Sequence, residues 1–201
     1  MDQDFWNEAY QDDPDQVVVA DRILDVEVKT LPVGRALDLG CGHGPNALKL
    51  AKLGWTVVGI DWAAHAVDLA QKAAAAKKLP ATFLVADVTT WKPTEQFDLV
   101  ISTYALPGGN GSRFALQTAM NALKPGGTLL VAEWDRSMNE VWDIVDNSLL
   151  SPEQIANLLP GLDVQTAEVR RFEDMFTAED DPRSVAGSAA NVAFVRARKP
   201  A

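Results

Sequence analysis

Residues 38–44 read Asp-Leu-Gly-Cys-Gly-His-Gly, with glycines at alternate positions. Glycine lets a backbone come within contact distance of a ligand, and a helix starting directly afterwards offers unpaired N–H donors. Three glycines exceed what a plain strand-to-helix turn requires, so the loop points to a nucleotide-like ligand. Read as a dinucleotide fingerprint it is ambiguous. From Gly40 the pattern Gly-x-Gly-x-x-Gly fails at Pro45, whereas from Gly42 it runs to Ala47 in permitted form. Two acids narrow the choice: Asp61 is placed to accept hydrogen bonds from both hydroxyls of a ribose, and Asp87 from the amino group of an adenine. His43, which titrates near neutrality, is a candidate for proton transfer. Tyr104, in the run Ser-Thr-Tyr-Ala-Leu-Pro-Gly-Gly109, is a candidate to line a second substrate's pocket.

These residues act together only if the chain brings them to one edge. Arg35–Gly40 is an apolar strand that stops at the glycines, and Ala47–Leu53 has helical spacing closed by Gly54. Thr56–Ile60, Ala81–Ala86, Phe97–Ser102 and Thr128–Glu133 are further strands. The alanine-rich stretch Ala63–Lys78, then Ser112–Leu123 and a stretch around Arg136–Ser148, are predicted helices, and Ser151-Pro-Glu opens a short capped one. Leu162–Arg170 and Ala190–Arg198 alternate as two final strands with no helix between them, which makes them antiparallel. Strands alternating with helices at this pace predict a single α/β domain, a mostly parallel sheet with helices on both faces. The glycine loop, Asp61 and Asp87 then all fall at the carboxyl ends of adjacent parallel strands, where ligands bind in such sheets.

With 201 residues, 28 acidic and 18 basic, the chain carries a net charge of −10. That charge disfavours a phosphate backbone, so nucleic acid is not an expected partner. Residues 1–30 hold nine carboxylates against Arg22 and Lys29, a local net of −7. A lone Cys41 excludes an intramolecular disulfide and a cysteine zinc cluster, and no metal site is expected. No apolar run reaches membrane-spanning length and the acidic start is unlike a signal peptide, so a cytoplasmic protein is the expectation.

Leu37-Asp-Leu-Gly-Cys-Gly-His-Gly44, Gly59-Ile-Asp61, Val85-Ala-Asp87, Phe97-Asp-Leu-Val-Ile101 and Leu123-Lys-Pro-Gly-Gly127, in that order, resemble the class I S-adenosylmethionine-dependent methyltransferases. The opening Phe5-Trp-Asn-Glu-Ala-Tyr10 is similar to the tellurite-resistance and thiopurine methyltransferase-like branch. The resemblance implies a Rossmann-like seven-stranded sheet of order 3-2-1-4-5-7-6 with strand 7 antiparallel. It further implies that Asp38 and the loop Gly40, Cys41, Gly42 and Gly44 hold the methionine end of S-adenosylmethionine. Asp61 would hold the ribose, Trp62 pack on the adenine, Asp87 with Val88 read the adenine edge, and Ser102 and Thr103 line the methionine side.

Residues 1–30 are expected to be an acidic helical lid, with Trp6 and Tyr10 covering the cofactor, ahead of a methyltransferase domain over 31–201. A sulfonium methyl is already activated, so in-line transfer needs chiefly a positioned acceptor, and a base where that acceptor is neutral. The loop after the fourth strand lacks the Asn/Asp-Pro-Pro-aromatic signature of family members that methylate nucleic-acid amino groups, which agrees with the charge. Glu133, Trp134 and Asp135 end the fifth strand within reach of an acceptor. The acidic run Glu173–Asp181 joins the lid at the site entrance, which favours a small neutral or cationic acceptor. A nicotinamide-dependent oxidoreductase and a non-catalytic nucleoside-binding module are the alternative readings.

Overall fold

A computed structural model describes Glu8 and residues 20–142, 144, 148–172 and 190–201. The elements in chain order are α1 (Ile23–Glu27), β1 (Arg35–Leu39), α2 (Pro45–Lys52), β2 (Thr56–Asp61), α3 (Ala64–Ala76), β3 (Ala81–Val85) and β4 (Phe97–Thr103). They continue as α4 (Gly109–Ala122), β5 (Leu123–Trp134), α5 (Met138–Val141), α6 (Pro152–Asn157), β6 (Asp163–Arg171) and β7 (Asn191–Arg198). The seven strands form one sheet of order β3-β2-β1-β4-β5-β7-β6. Strands β1 to β5 pair in parallel, and β7 runs antiparallel to both β5 and β6. This is the topology expected from the sequence.

The pairing register sets the site. Leu39 lies opposite Ile60 of β2 and Ser102 of β4, Asp61 opposite Val85 of β3, and Thr103 opposite Ala132 of β5. The carboxyl ends of β1 to β5 are therefore flush along one edge. Two apolar layers hold the sheet flat against its helices. On one face Leu24, Leu48, Leu50, Trp55, Val67, Ala70 and Phe194 share a buried cluster. On the other, Leu37, Ile60, Phe97, Leu116, Ile155 and Val195 do so.

The described part of the predicted lid, from residue 20 onward, packs on the sheet. Ile23, Leu24 and Val28 of α1 enter the core. Glu27, although buried, accepts from Arg170 Nη2 and Arg196 Nη1, each at 3.0 Å, and Arg170 lies 3.6 Å above the Phe194 ring centroid. Removing one member of such a group strands the others in a poorly solvated place. Glu27→Ala is expected to lower unfolding stability by about 2–3 kcal/mol, read from urea denaturation. Residues 1–7 and 9–19, with Trp6 and Tyr10, lie outside the described residues, as does the acidic run 173–181.

The helix expected around 136–148 is shorter than its sequence suggests: α5 spans only Met138–Val141. The buried side chain of Asn139 grips the backbone of Leu149, accepting from its amide at 3.3 Å and donating to its carbonyl at 3.4 Å. A continuous helix would carry Leu149 about 15 Å along its axis from Asn139, so that grip forbids one. The Lys124-Pro-Gly-Gly127 turn is absorbed into the start of β5, with Gly126 at φ 77°.

Candidate active site

The carboxyl edge of the sheet gathers Asp38, the glycine loop, Asp61, Asp87, Ser102, Thr103, Tyr104 and Glu133. Asp38 is the feature the fold leaves unfinished. It is 1% exposed, and among the described residues no side chain pairs with its carboxylate; only the backbone amide of Ala47 favours its charge. Burial pushes its pKa up to about 7; the Ala47 amide opposes the rise and the charge of Asp61 adds to it. A buried carboxylate without a cationic partner is costly, which marks a place for a cationic group.

The glycine loop does not present a nest of free amides, as its position ahead of a helix suggests. Gly40 and Cys41 both donate to the Ile60 carbonyl, at 2.8 and 2.9 Å, and Gly44 donates to the Cys41 carbonyl at 2.9 Å. The Gly42 amide donates to Asp61 Oδ2 at 2.9 Å. What the glycines supply is a tight left-handed path. Gly40, at φ +71°, leaves no room for a side chain, because a Cβ there would sit 2.2 Å from the Cβ of Ala105. Cys41 is packing: its buried Sγ leans on the Gly42 carbonyl, and burial raises its thiol pKa well above the ordinary value. His43 is half-buried in the same loop.

Asp61 ties the loop to the next helix. Its Oδ1 accepts from the Ala63 amide at 2.8 Å while Oδ2 holds Gly42. Burial raises its pKa, and those amides pull it back. Asp87 is half-buried, and its Oδ1 accepts from both the amide and the hydroxyl of Thr89 at 2.7 Å. Trp62 and Val88 are half-buried beside these two acids.

At the end of β4, Ser102 is buried and the Thr103 hydroxyl accepts from Asn46 Nδ2 at 2.9 Å. Asn46, which sequence reasoning missed, also accepts the Asp21 amide at 2.7 Å, so it fastens three segments at the foot of the glycine loop. Tyr104 adopts φ +53°, a conformation bulky residues rarely take, with its amide bonded to the Ala132 carbonyl at 2.8 Å. Its ring packs 4.8 Å from Trp134 and 6.5 Å from Phe172, and Trp142 stands edge-on to Trp134 at 4.9 Å.

Glu133, expected from the sequence at a strand end within reach of an acceptor, is 7% exposed, with a pKa pushed by burial up to about 8 against the pull of the Leu106 and Ala105 amides. It lines a narrow crevice, partly open to solvent, with Leu106, Ser112, Trp134, Ser148, Leu149 and Leu150.

Asp21, Asp38 and Glu133 all have pKa values raised by folding, the first two to about 7 and the third to about 8. Each binds its proton more tightly folded than unfolded. Their stabilising contributions are complete below about pH 4 and are lost as pH rises through the folded values. The urea midpoint of the free protein is expected to fall between about pH 5 and about pH 8, with Asp38→Asn flattening part of the fall.

Residues 36–127 match the methyltransferase domain family. The ubiquinone biosynthesis O-methyltransferase of Coxiella burnetii is 27% identical over 160 residues, 79% of this chain and 67% of the relative. The probable thiol methyltransferase 2 of Arabidopsis thaliana is 38% identical over 111 residues, 52% of this chain and 48% of the relative. The N-methyltransferase NodS of Bradyrhizobium japonicum WM9, in complex with S-adenosylhomocysteine, shares the fold with a TM-score of 0.67 at 20% identity, covering 90% of this chain and 85% of that one. The matched methyltransferase domain, these relatives and the shared sheet order make the chain similar to the class I S-adenosylmethionine-dependent methyltransferases.

Proposed function

We propose that the enzyme methylates a small, neutral, protic acceptor, with a thiol as its preferred class, and that S-adenosylmethionine lies along the carboxyl edge of β1, β2 and β4. The observation that carries this placement is the buried carboxylate of Asp38 beside the glycine loop, which has no cationic partner among the described residues. The residues present fit the cofactor: Asp38 offers the counter-charge for its ammonium group, and the cramped path at Gly40 admits close approach. Asp61 keeps spare lone pairs for the ribose hydroxyls after serving Gly42 and Ala63. Trp62 flanks the adenine, Asp87 and Val88 take its edge, and Ser102 and Thr103 line the methionine side.

Bound there, S-adenosylmethionine supplies a methyl group already activated by the sulfonium charge. The protein's own task is to hold the acceptor in line and keep water out. The bolted Tyr104–Leu106 loop and the aromatic packing of Tyr104, Trp134 and Phe172 give the acceptor side a rigid, largely apolar wall. The carboxylates along the edge and the chain's net charge of −10 disfavour anionic and nucleic-acid acceptors. The thiol class is supported by the 38% identity with a probable thiol methyltransferase and fits the thiopurine-like opening. Among the described residues no helix is long and apolar enough to cross a membrane, and we place the enzyme's work in the cytoplasm.

Incubation with S-adenosylmethionine and matched thiols, phenols, primary amines and oxyanions tests this. S-adenosylhomocysteine should form fastest with the thiols; turnover confined to an oxyanion or an amine would refute the acceptor class.

A further inference from the structure

Among the described residues that line the crevice beyond β4, Glu133 is the one ionisable side chain, and binding the cofactor gives it no task. Glu133 ends β5 with its carboxylate divided between two roles. Oε1 accepts the Ala105 amide at 2.6 Å and the Leu106 amide at 2.9 Å, fixing the loop that touches the glycine path, since Ala105 abuts Gly40. Oε2 makes no hydrogen bond among the described residues, and the side chain forms part of the cleft wall with Leu106, Ser112, Trp134 and Leu149. Every other named wall residue is apolar or a serine.

Resting on the thiol-methyltransferase reading above, we propose that Glu133 is the catalytic base, taking the S–H proton of a thiol whose sulfur is presented at the mouth of this crevice. The proton passes to Oε2 as the thiol's sulfur forms its bond to the methyl carbon. The bond from that carbon to the donor's sulfonium sulfur breaks, its electron pair staying on the sulfur, so that S-adenosylhomocysteine, a thioether and a protonated Glu133 result. Glu133 then returns the proton to water. No redox partner or metal is required.

The direction of its pKa suits the work. Burial raises it, and the two loop amides oppose the rise. A base that titrates near the operating pH, facing a thiol of ordinary pKa about 8.5, transfers the proton with little penalty.

The test uses the full chain, Glu133→Gln, Glu133→Leu and benzyl mercaptan. Glutamine keeps a carbonyl that accepts from both amides but cannot act as base, so Glu133→Gln should bind S-adenosylhomocysteine within about twofold of wild type and melt unchanged. Its kcat with benzyl mercaptan should fall by about 100-fold or more near neutral pH, and the deficit should shrink at alkaline pH, where the thiol ionises unaided. Glu133→Leu, which also releases the loop, should lose thermal stability. The proposal is overturned if Glu133→Gln keeps kcat within about threefold, or if its defect persists unchanged at alkaline pH. Loss of cofactor binding by Glu133→Gln overturns it too, since the residue is then structural. A wild type that binds S-adenosylhomocysteine and turns over phenols but no thiol overturns it together with the acceptor class. A wild type that fails to bind S-adenosylhomocysteine refutes the cofactor placement itself.

Discussion

Asp38→Ala should weaken S-adenosylhomocysteine binding by about 100-fold, a loss of roughly 3 kcal/mol, while leaving the free protein no less stable at about pH 8. The asymmetry follows from burial. In the free protein the ionised carboxylate has lost its water and gained no cationic partner among the described residues, so it is a liability there. A ligand ammonium converts that liability into a buried ion pair, and truncating one partner removes most of the gain. Because folding holds the carboxyl near pKa 7, affinity should also rise with pH through that range, as Asp38 must ionise to pair. In Asp38→Ala the pH dependence should vanish. A variant that binds as tightly as wild type would remove Asp38 from the site.

Gly40→Ala is expected to be the most damaging small substitution in the chain. Its φ of +71° costs an alanine about 1–2 kcal/mol, and the added Cβ would stand 2.2 Å from that of Ala105. Overpacking of this kind adds about 1–3 kcal/mol, so unfolding stability should fall by about 3 kcal/mol and cofactor binding should be lost. The double variant Gly40→Ala, Ala105→Gly separates the two causes. It removes the clash and keeps the backbone strain, and should recover the clash portion of the stability. No recovery would mean that the loop after β4 does not press on the glycine path.

The strand order and the edge of the sheet that carries the site were readable from the sequence because they rest on local pattern. Apolar runs such as Arg35–Gly40 and Phe97–Thr103, each ending in a polar or small residue, mark buried parallel strands and their exits. The glycine loop was legible as a ligand contact but not in its manner. Its amides are spent on Ile60, Cys41 and Asp61, a commitment fixed by how β1 and β2 pair.

Long-range partners left no local mark. Glu27 meets Arg170 and Arg196 across 143 and 169 residues, and nothing in the α1 sequence distinguishes it from a solvated acid. Asn46 reads as an ordinary early helix residue, yet it joins Asp21 to Thr103. Glu133 is the sharpest case. A glutamate at a strand end looks solvated, and only the fold of the Tyr104–Leu106 loop over it creates its burial. Helix length around Asn139 failed for the same reason, since a side-chain grip on Leu149 overrides local propensity.

Titration calorimetry of S-adenosylhomocysteine into the wild-type protein and Asp38→Ala, near pH 7 in two buffers of different ionisation enthalpy, tests the central claim most directly. Wild type should bind saturably with release of a fraction of a proton, as Asp38 is driven to its ionised form, and the variant should show neither proton release nor comparable affinity. Absence of binding by wild type at hundreds of micromolar ligand, or equal affinity and equal proton release in both proteins, would contradict it.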